Sequence, residues 1–103
     1  MNVVILSGRL TSAPDLKATN SGHIARLRIA VDRRRSDKTD FFSVTTFNKL
    51  AEVCAQHLVK GQHAEVTAHL VANEWDDNGT RRFGTDIIAE DVTFGAKPRG
   101  RGE

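Results

Sequence analysis

TDFFSVTTFNKLAEVCAQHLVKG, residues 39–61, passes from a period of two to a helical period with no loop between them. From Phe41 to Phe47 the odd positions read Phe41, Ser43, Thr45 and Phe47, and the even positions Phe42, Val44 and Thr46. That is a strand with two unlike faces. Phe42 and Val44 are adjacent apolar residues of the even face, which is assigned to the core, so Phe41 and Phe47 point outward. From Asn48 onward, Leu50, Ala51, Val53, Cys54 and Leu58 recur at spacings of three and four and predict one short helix. Asn48 is placed to cap its first turn and Lys60-Gly61 to end its last.

On either side of this stretch the chain is patterned as strands. Asn2 to Leu10 is the first, with Gly8 where a bulge or bend is expected. Asp15 to Thr19 extends or re-enters the sheet before the turn Asn20-Ser21-Gly22. Ile24 to Val31 alternates, with Leu27, Ile29 and Val31 on one face and Arg26 and Arg28 on the other. Asp32 to Lys38 reads as a hairpin tip bearing Arg33, Arg34 and Arg35. After the helix, Ala64 to Trp75 is a strand with Val66, Ala68, Leu70 and Ala72 facing in and Thr67, His69, Val71, Asn73 and Trp75 facing out. Asp76-Asp77-Asn78-Gly79 is a hairpin turn. Arg81 to Phe94 is the last strand, with a bend expected near Gly84 because its apolar positions change parity. Three strands, one helix and two strands give an all-β fold, a five-stranded OB barrel with its helix between strands 3 and 4. Residues 1–95 form this domain, and 96–103, AKPRGRGE, read as a disordered basic stub.

At 103 residues the chain makes one domain. No run approaches the length of a membrane span and no targeting segment precedes the first strand, so a cytoplasmic protein is expected. The single Cys54 lies on the apolar stripe of the helix and reads as a buried small hydrophobe. His23, His57, His63 and His69 sit on separate elements without metal-ligand spacing, and nothing implies a cofactor. No catalytic set stands out, which argues against an enzyme. The net charge is only +2 but is unevenly spread: residues 1–35 carry seven Lys or Arg against two Asp, residues 36–96 five basic groups against ten acidic ones. A polyanion is bound by local potential rather than net charge, and the first strands supply it.

The outward residues combine aromatics with cations. Phe41, Phe47 and Trp75 interleave with Arg26, Arg28 and the Arg33 to Arg35 tip on neighbouring strands. Single-stranded nucleic acid asks for this pairing, with a π-face for each splayed base and cations along the phosphates. A register shifted by one would expose Phe42 instead of Phe41 and Phe47. Trp75, at a strand end, has an alternative as a cover for the barrel mouth or an oligomer contact, and the arginine tip as an ordinary solvated loop.

These residues carry a family resemblance. NVVILSGRLTSAPDLKATNSG at the start, TDFFSVTTFNKLAEVCAQHLVKG in the middle, with Phe47-Asn48-Lys49-Leu50-Ala51-Glu52 its most specific part, and EWDDNGTRRFGTDIIAEDV at the end together resemble the bacterial-type single-stranded DNA-binding proteins over residues 2–94. The resemblance implies an OB-fold subunit of a homotetramer, with a dimer as the alternative, that binds and protects single-stranded DNA without sequence preference in replication, recombination or repair, near the nucleoid. It implies that Phe41, Phe47 and Trp75 stack on bases, and that Lys17, Lys49 and Lys60 lie near the DNA path. Three departures stand out. Arg33-Arg34-Arg35 occupies the region where a further stacking aromatic is common, and the residues before Trp75, Val71-Ala72-Asn73-Glu74, lack the usual basic side chains. The glycine-rich tail with its acidic tip is absent from this sequence, which fits either a truncated chain or a short paralogue, and recruitment of repair proteins through such a tail is not expected of it. The rival readings are an accessory factor like primosomal replication protein N and an OB-fold protein-interaction or oligosaccharide-binding module.

Overall fold

The computed structural model describes residues 1–98. Seven elements follow in order: β1 (Val4–Leu10), β2 (Asp15–Thr19), β3 (Gly22–Asp32), β4 (Thr39–Phe47), α1 (Asn48–His57), β5 (His63–Asp77) and β6 (Thr80–Phe94). The strands run β1-β5-β6-β4-β3-β2, and β1 also pairs with β3 through Arg9 and Leu10, which closes the ring. The parallel pairing of β4 with β6, Val44 to Ile87 and Thr45 to Ile88, is the other seam. This is the expected OB barrel. The first strand of the five is split into β1 and β2, so the helix between strands 3 and 4 lies between β4 and β5.

Gly8 marks the place where β1 comes closest to β3. Pairing of β1 with β5 runs without a break from Val4 to Arg9, so there is no bulge at Gly8. A Cβ there would lie 2.2 Å from the Ala30 carbonyl oxygen. The glycine is required by that approach and not by its own backbone angles.

Even positions of β4 face the core as expected: Val44 and Thr46 are buried and Phe42 is half-buried. They meet Leu10, Leu27, Ile29 and Val66, with Ala51 and Cys54 brought in by the helix and Leu58 by the turn that follows it. Each large side chain buried this way contributes roughly 1.5–3 kcal/mol. The buried Thr46 hydroxyl donates to the Ala25 carbonyl at 2.7 Å. Gln62, also buried, donates to the Gly95 carbonyl at 3.1 Å and accepts from the Val59 amide, fastening the turn after α1 to the end of β6. Burial pushes the Cys54 thiol up to about 11, so it stays protonated at neutral pH.

Four local expectations are corrected. Asn48 is not a side-chain cap: Phe47 holds the N-cap position with no side-chain hydrogen bond, and Asn48, at φ 53°, turns its amide onto Gly22 of the β2–β3 turn. The helix ends at His57, where the Leu58 amide returns to the Cys54 carbonyl, and Lys60-Gly61 belong to the following turn. The irregularity in the last hairpin lies at Glu90, which has no partner between Thr67 opposite Asp91 and Ala68 opposite Ala89, and not near Gly84. This bulge moves the inward positions from Ala89 to Val92.

The fourth correction shapes the molecule. Leu70 and Ala72 are exposed, because β5 and β6 outrun the barrel. Pairing of β5 with β1 ends at Ala68, and the Asn2 side chain then donates to the Leu70 carbonyl at 2.7 Å and accepts from its amide at 2.8 Å, in place of a further strand residue. Beyond this the two strands form a free-standing ribbon, about 20 Å long at the usual rise per residue. Asn78 and Gly79, with φ 51° and 85°, close it by the predicted tight turn. At the chain end Ala96 accepts from the His63 amide at 2.9 Å and Pro98 lies against Gly61. The remainder of the expected stub, residues 99–103, lies outside the described residues. Among the described residues no helix is long and apolar enough to cross a membrane.

Candidate nucleic-acid interface

The outer face of β2, β3 and β4 is built from cross-strand rows. Lys17, Ile24 and Phe47 form one, Asp15, Arg26 and Thr45 the next, then Arg28 with Ser43, and Ala30 with Phe41. Phe41 is 53% exposed and Phe47 42%. Both rings stand on one strand, about 20 Å apart along it. The Arg28 guanidinium lies over the Phe41 ring, 5.1 Å from its centroid, a cation–π contact. Arg26 and Arg28 are exposed and make no ion pair among the described residues. Lys17 lies 4.0 Å from Asp15, a weak exposed pair.

The arginine tip is divided in its commitments. Arg33 is forked onto Asp40, with Nε 3.0 Å from Oδ2 and Nη2 2.9 Å from Oδ1. That hydrogen-bonded pair holds the Asp40 carboxyl below its ordinary range and raises Arg33. Asp32 is likewise lowered, by the Thr39 hydroxyl and by Arg9. Arg34 and Arg35 are exposed and unpaired among the described residues. The tip follows β3 and precedes Phe41 by a few residues, so it belongs to the Phe41 end of the face.

Trp75 is on the ribbon and 50% exposed. Register connects it to the same side of the sheet: Thr45 pairs with Ile88, Ile88 with His69, and further out Asp86 pairs with Val71, Gly84 with Asn73 and Arg82 with Trp75. The three aromatics therefore share one outward side, two on the barrel wall and one on the projecting ribbon. Lys49 is exposed at the start of α1, two residues beyond Phe47. Lys60 is not brought into these rows. It lies in the α1–β5 turn, whose Gly61 amide donates to the Leu10 carbonyl.

Phe83 is an aromatic that the sequence reading did not place. It is 69% exposed and pairs with Glu74, which puts it on the ribbon side opposite Trp75, beside an open hollow of about 610 Å³ lined by Ala72, Asn73, Glu74, Gly84 and Thr85. Its signal was a lone aromatic between Arg82 and Gly84, unreadable without knowing that the ribbon leaves the barrel.

Residues 1–95 match the family described as "Single-strand binding protein family". This chain belongs to that family. Among curated single-stranded DNA-binding proteins of the family it is 39% identical over 98 residues to one from Clostridium perfringens, covering 91% of this chain and 65% of the relative. It is 38% identical over 101 residues to one from Caldanaerobacter subterraneus, covering 91% and 67%, and 32% identical to one from Treponema pallidum, covering 89% and 56%. The chain thus spans about two thirds of the length of the first two. Single-strand binding is a binding activity and not a reaction, in agreement with the sequence reading that no catalytic set is present. Among the described residues no three His, Cys, Asp or Glu side chains gather as a metal site would require.

Proposed function

We propose that this chain binds single-stranded DNA without regard to sequence and protects it during replication, recombination or repair. One observation carries the reading: Phe41 and Phe47 stand exposed on β4 with Arg26 and Arg28 beside them on β3. Each aromatic offers a base a stacking surface worth about 1–3 kcal/mol, and every base has a face to stack, so affinity does not depend on sequence. Trp75 extends the path along the ribbon. Arg26, Arg28, Arg34, Arg35, Lys17 and Lys49 follow the phosphates, with Lys60 more distant. In the free chain the Arg28 guanidinium covers Phe41. On binding it yields the ring to a base and takes a phosphate. Duplex DNA, whose bases are already stacked, gives these rings nothing to hold. Competition tests the reading: unlabelled single strands of mixed sequence displace labelled oligo-dT, and displacement by duplex of equal length at the same concentration would overturn it.

Arg33 has a partner to leave first. Asp40→Asn is expected to free its guanidinium, tighten oligo-dT binding at low salt and steepen the log–log salt dependence by about 0.7 for one further phosphate contact. An unchanged slope would take Arg33 out of the path.

Assembly into a homotetramer belongs to the same proposal. Ile5 is exposed on β1 and Val3 just before it, and between Val4 and Gly8 the strand is paired on one side only, leaving an apolar edge for a second copy to cover. Sedimentation equilibrium is expected to give a mass about four times the chain's 11.3 kDa. A dimer mass would favour the accessory-factor reading instead. Residence in the cytoplasm at the nucleoid follows from the DNA-binding role.

A further inference from the structure

Trp75 owes its attitude to a residue with no side chain. Asn73 is paired with Gly84 and Trp75 with Arg82, so Gly84 is the diagonal neighbour of Trp75 on the outward side of the ribbon. A Cβ on Gly84 would lie 3.1 Å from Cη2 and from Cζ3 of the indole. The outer edge of the six-membered ring of Trp75 therefore reaches over Gly84, crossing the ribbon on the barrel side of its own position. Gly84 lies within a regular strand and needs no left-handed angles, so what the site uses is the space. Diagonal cross-strand contact is within reach of an aromatic, and covering a strand glycine in this way shields its backbone from water.

The neighbours leave the ring this room. Arg82, directly opposite, is drawn to Asp77 at 3.4 Å, toward the tip. On the barrel side Asn73 and Asp86 are hydrogen-bonded to each other. With that edge of the indole against Gly84 and the residue still half exposed, the rest of the ring is left for a ligand.

We propose that Gly84 is the positioning residue for Trp75: it gives the outer edge of the indole room to reach across the ribbon and so fixes where the ring meets a base, on the side of the sheet that also carries Phe41 and Phe47. The proposal rests on the DNA-binding reading above and adds to it. A side chain at position 84 occupies the place of that edge and displaces the ring. Thr fills the site and suits a strand better than Gly, so stability and binding are expected to move in opposite directions.

The test compares Gly84→Thr, Gly84→Ala, Trp75→Ala and the Gly84→Thr/Trp75→Ala double variant, each as the full chain. Gly84→Thr is expected to melt at or above the parent temperature. Acrylamide should quench its tryptophan more readily, oligo-dT should quench it less at saturation, and oligo-dT affinity should fall about fivefold, part of one stacking contact. Gly84→Ala, whose Cβ needs the ring to give by only a few tenths of an ångström, falls between Gly84→Thr and the parent. The double variant binds as Trp75→Ala does. Parent-like affinity and quenching in Gly84→Thr, while Trp75→Ala is weakened, overturns the positioning role and leaves the DNA-binding reading standing. Parent-like affinity in Trp75→Ala removes Trp75 from the DNA path, and the positioning role with it. A lower melting temperature for Gly84→Thr, or a double variant weaker than Trp75→Ala, makes Gly84 a residue of the fold and overturns the proposal.

Discussion

Replacing Phe41 and Phe47 together by alanine is expected to weaken oligo-dT binding by about 30- to 25,000-fold, the range set by two stacked bases at roughly 1–3 kcal/mol each. The barrel should persist, because both rings lie on its solvent side while the core beneath β4 is made by Val44, Thr46 and the half-buried Phe42. The slope of log affinity against log salt should not change, since stacking releases no counterions. Arg26→Ala and Arg28→Ala should do the reverse, each flattening the slope by about 0.7. Titration of a labelled oligonucleotide at several salt concentrations separates the two kinds of loss. A loss below threefold for the double phenylalanine variant, with the fold intact by circular dichroism, would take β4 out of the DNA path.

The largest effect on stability is expected from one methyl group at Gly8. An added Cβ meets the Ala30 carbonyl oxygen at 2.2 Å and the Ile29 Cγ2 at 2.9 Å. The nearer atom is backbone, and no rotamer change clears it. β1 would have to part from β3 where Arg9 and Leu10 close the ring. Overpacking of this kind costs about 3 kcal/mol or more. For a domain of this size that lowers the melting temperature by about 12–24 °C. Thermal unfolding of Gly8→Ala followed by circular dichroism measures it. A shift of less than about 3 °C would mean that the β1–β3 seam is looser than its geometry.

Much of this was legible in the sequence, for physical reasons that also explain where it stopped. Residues 39–61 gave strand, face and helix together because Phe42 and Val44 fix the parity of β4, and that parity sets Phe41 and Phe47 outward. Asn78-Gly79 announced its turn through two residues that tolerate positive φ. The ribbon was not legible. Alternation along β5 continues through Leu70 and Ala72 whether or not another layer lies beneath them, so nothing local records where the barrel ends. The bulge was visible as a change of parity, but Ile87 and Ile88 are both apolar and do not say where the extra residue sits. The fork between Arg33 and Asp40 joins residues seven apart across a loop, and only its geometry shows that this arginine is already engaged. Asn48 looked like a cap because its type favours that position. The contact with Gly22 drew it elsewhere. Gly84 read as a bend and proves to be room for a ring, because a glycine's reason lies in what approaches it.

Trp75 is the only tryptophan of the chain, so its fluorescence reports on one place. The most direct test of the whole account is a titration of that signal with oligo-dT and with duplex of equal length, at low and at high salt. The account predicts strong quenching by oligo-dT and none by duplex, with affinity falling as salt rises while the quenching at saturation stays the same. Unchanged fluorescence with oligo-dT in the folded protein, or equal quenching by duplex, would contradict it.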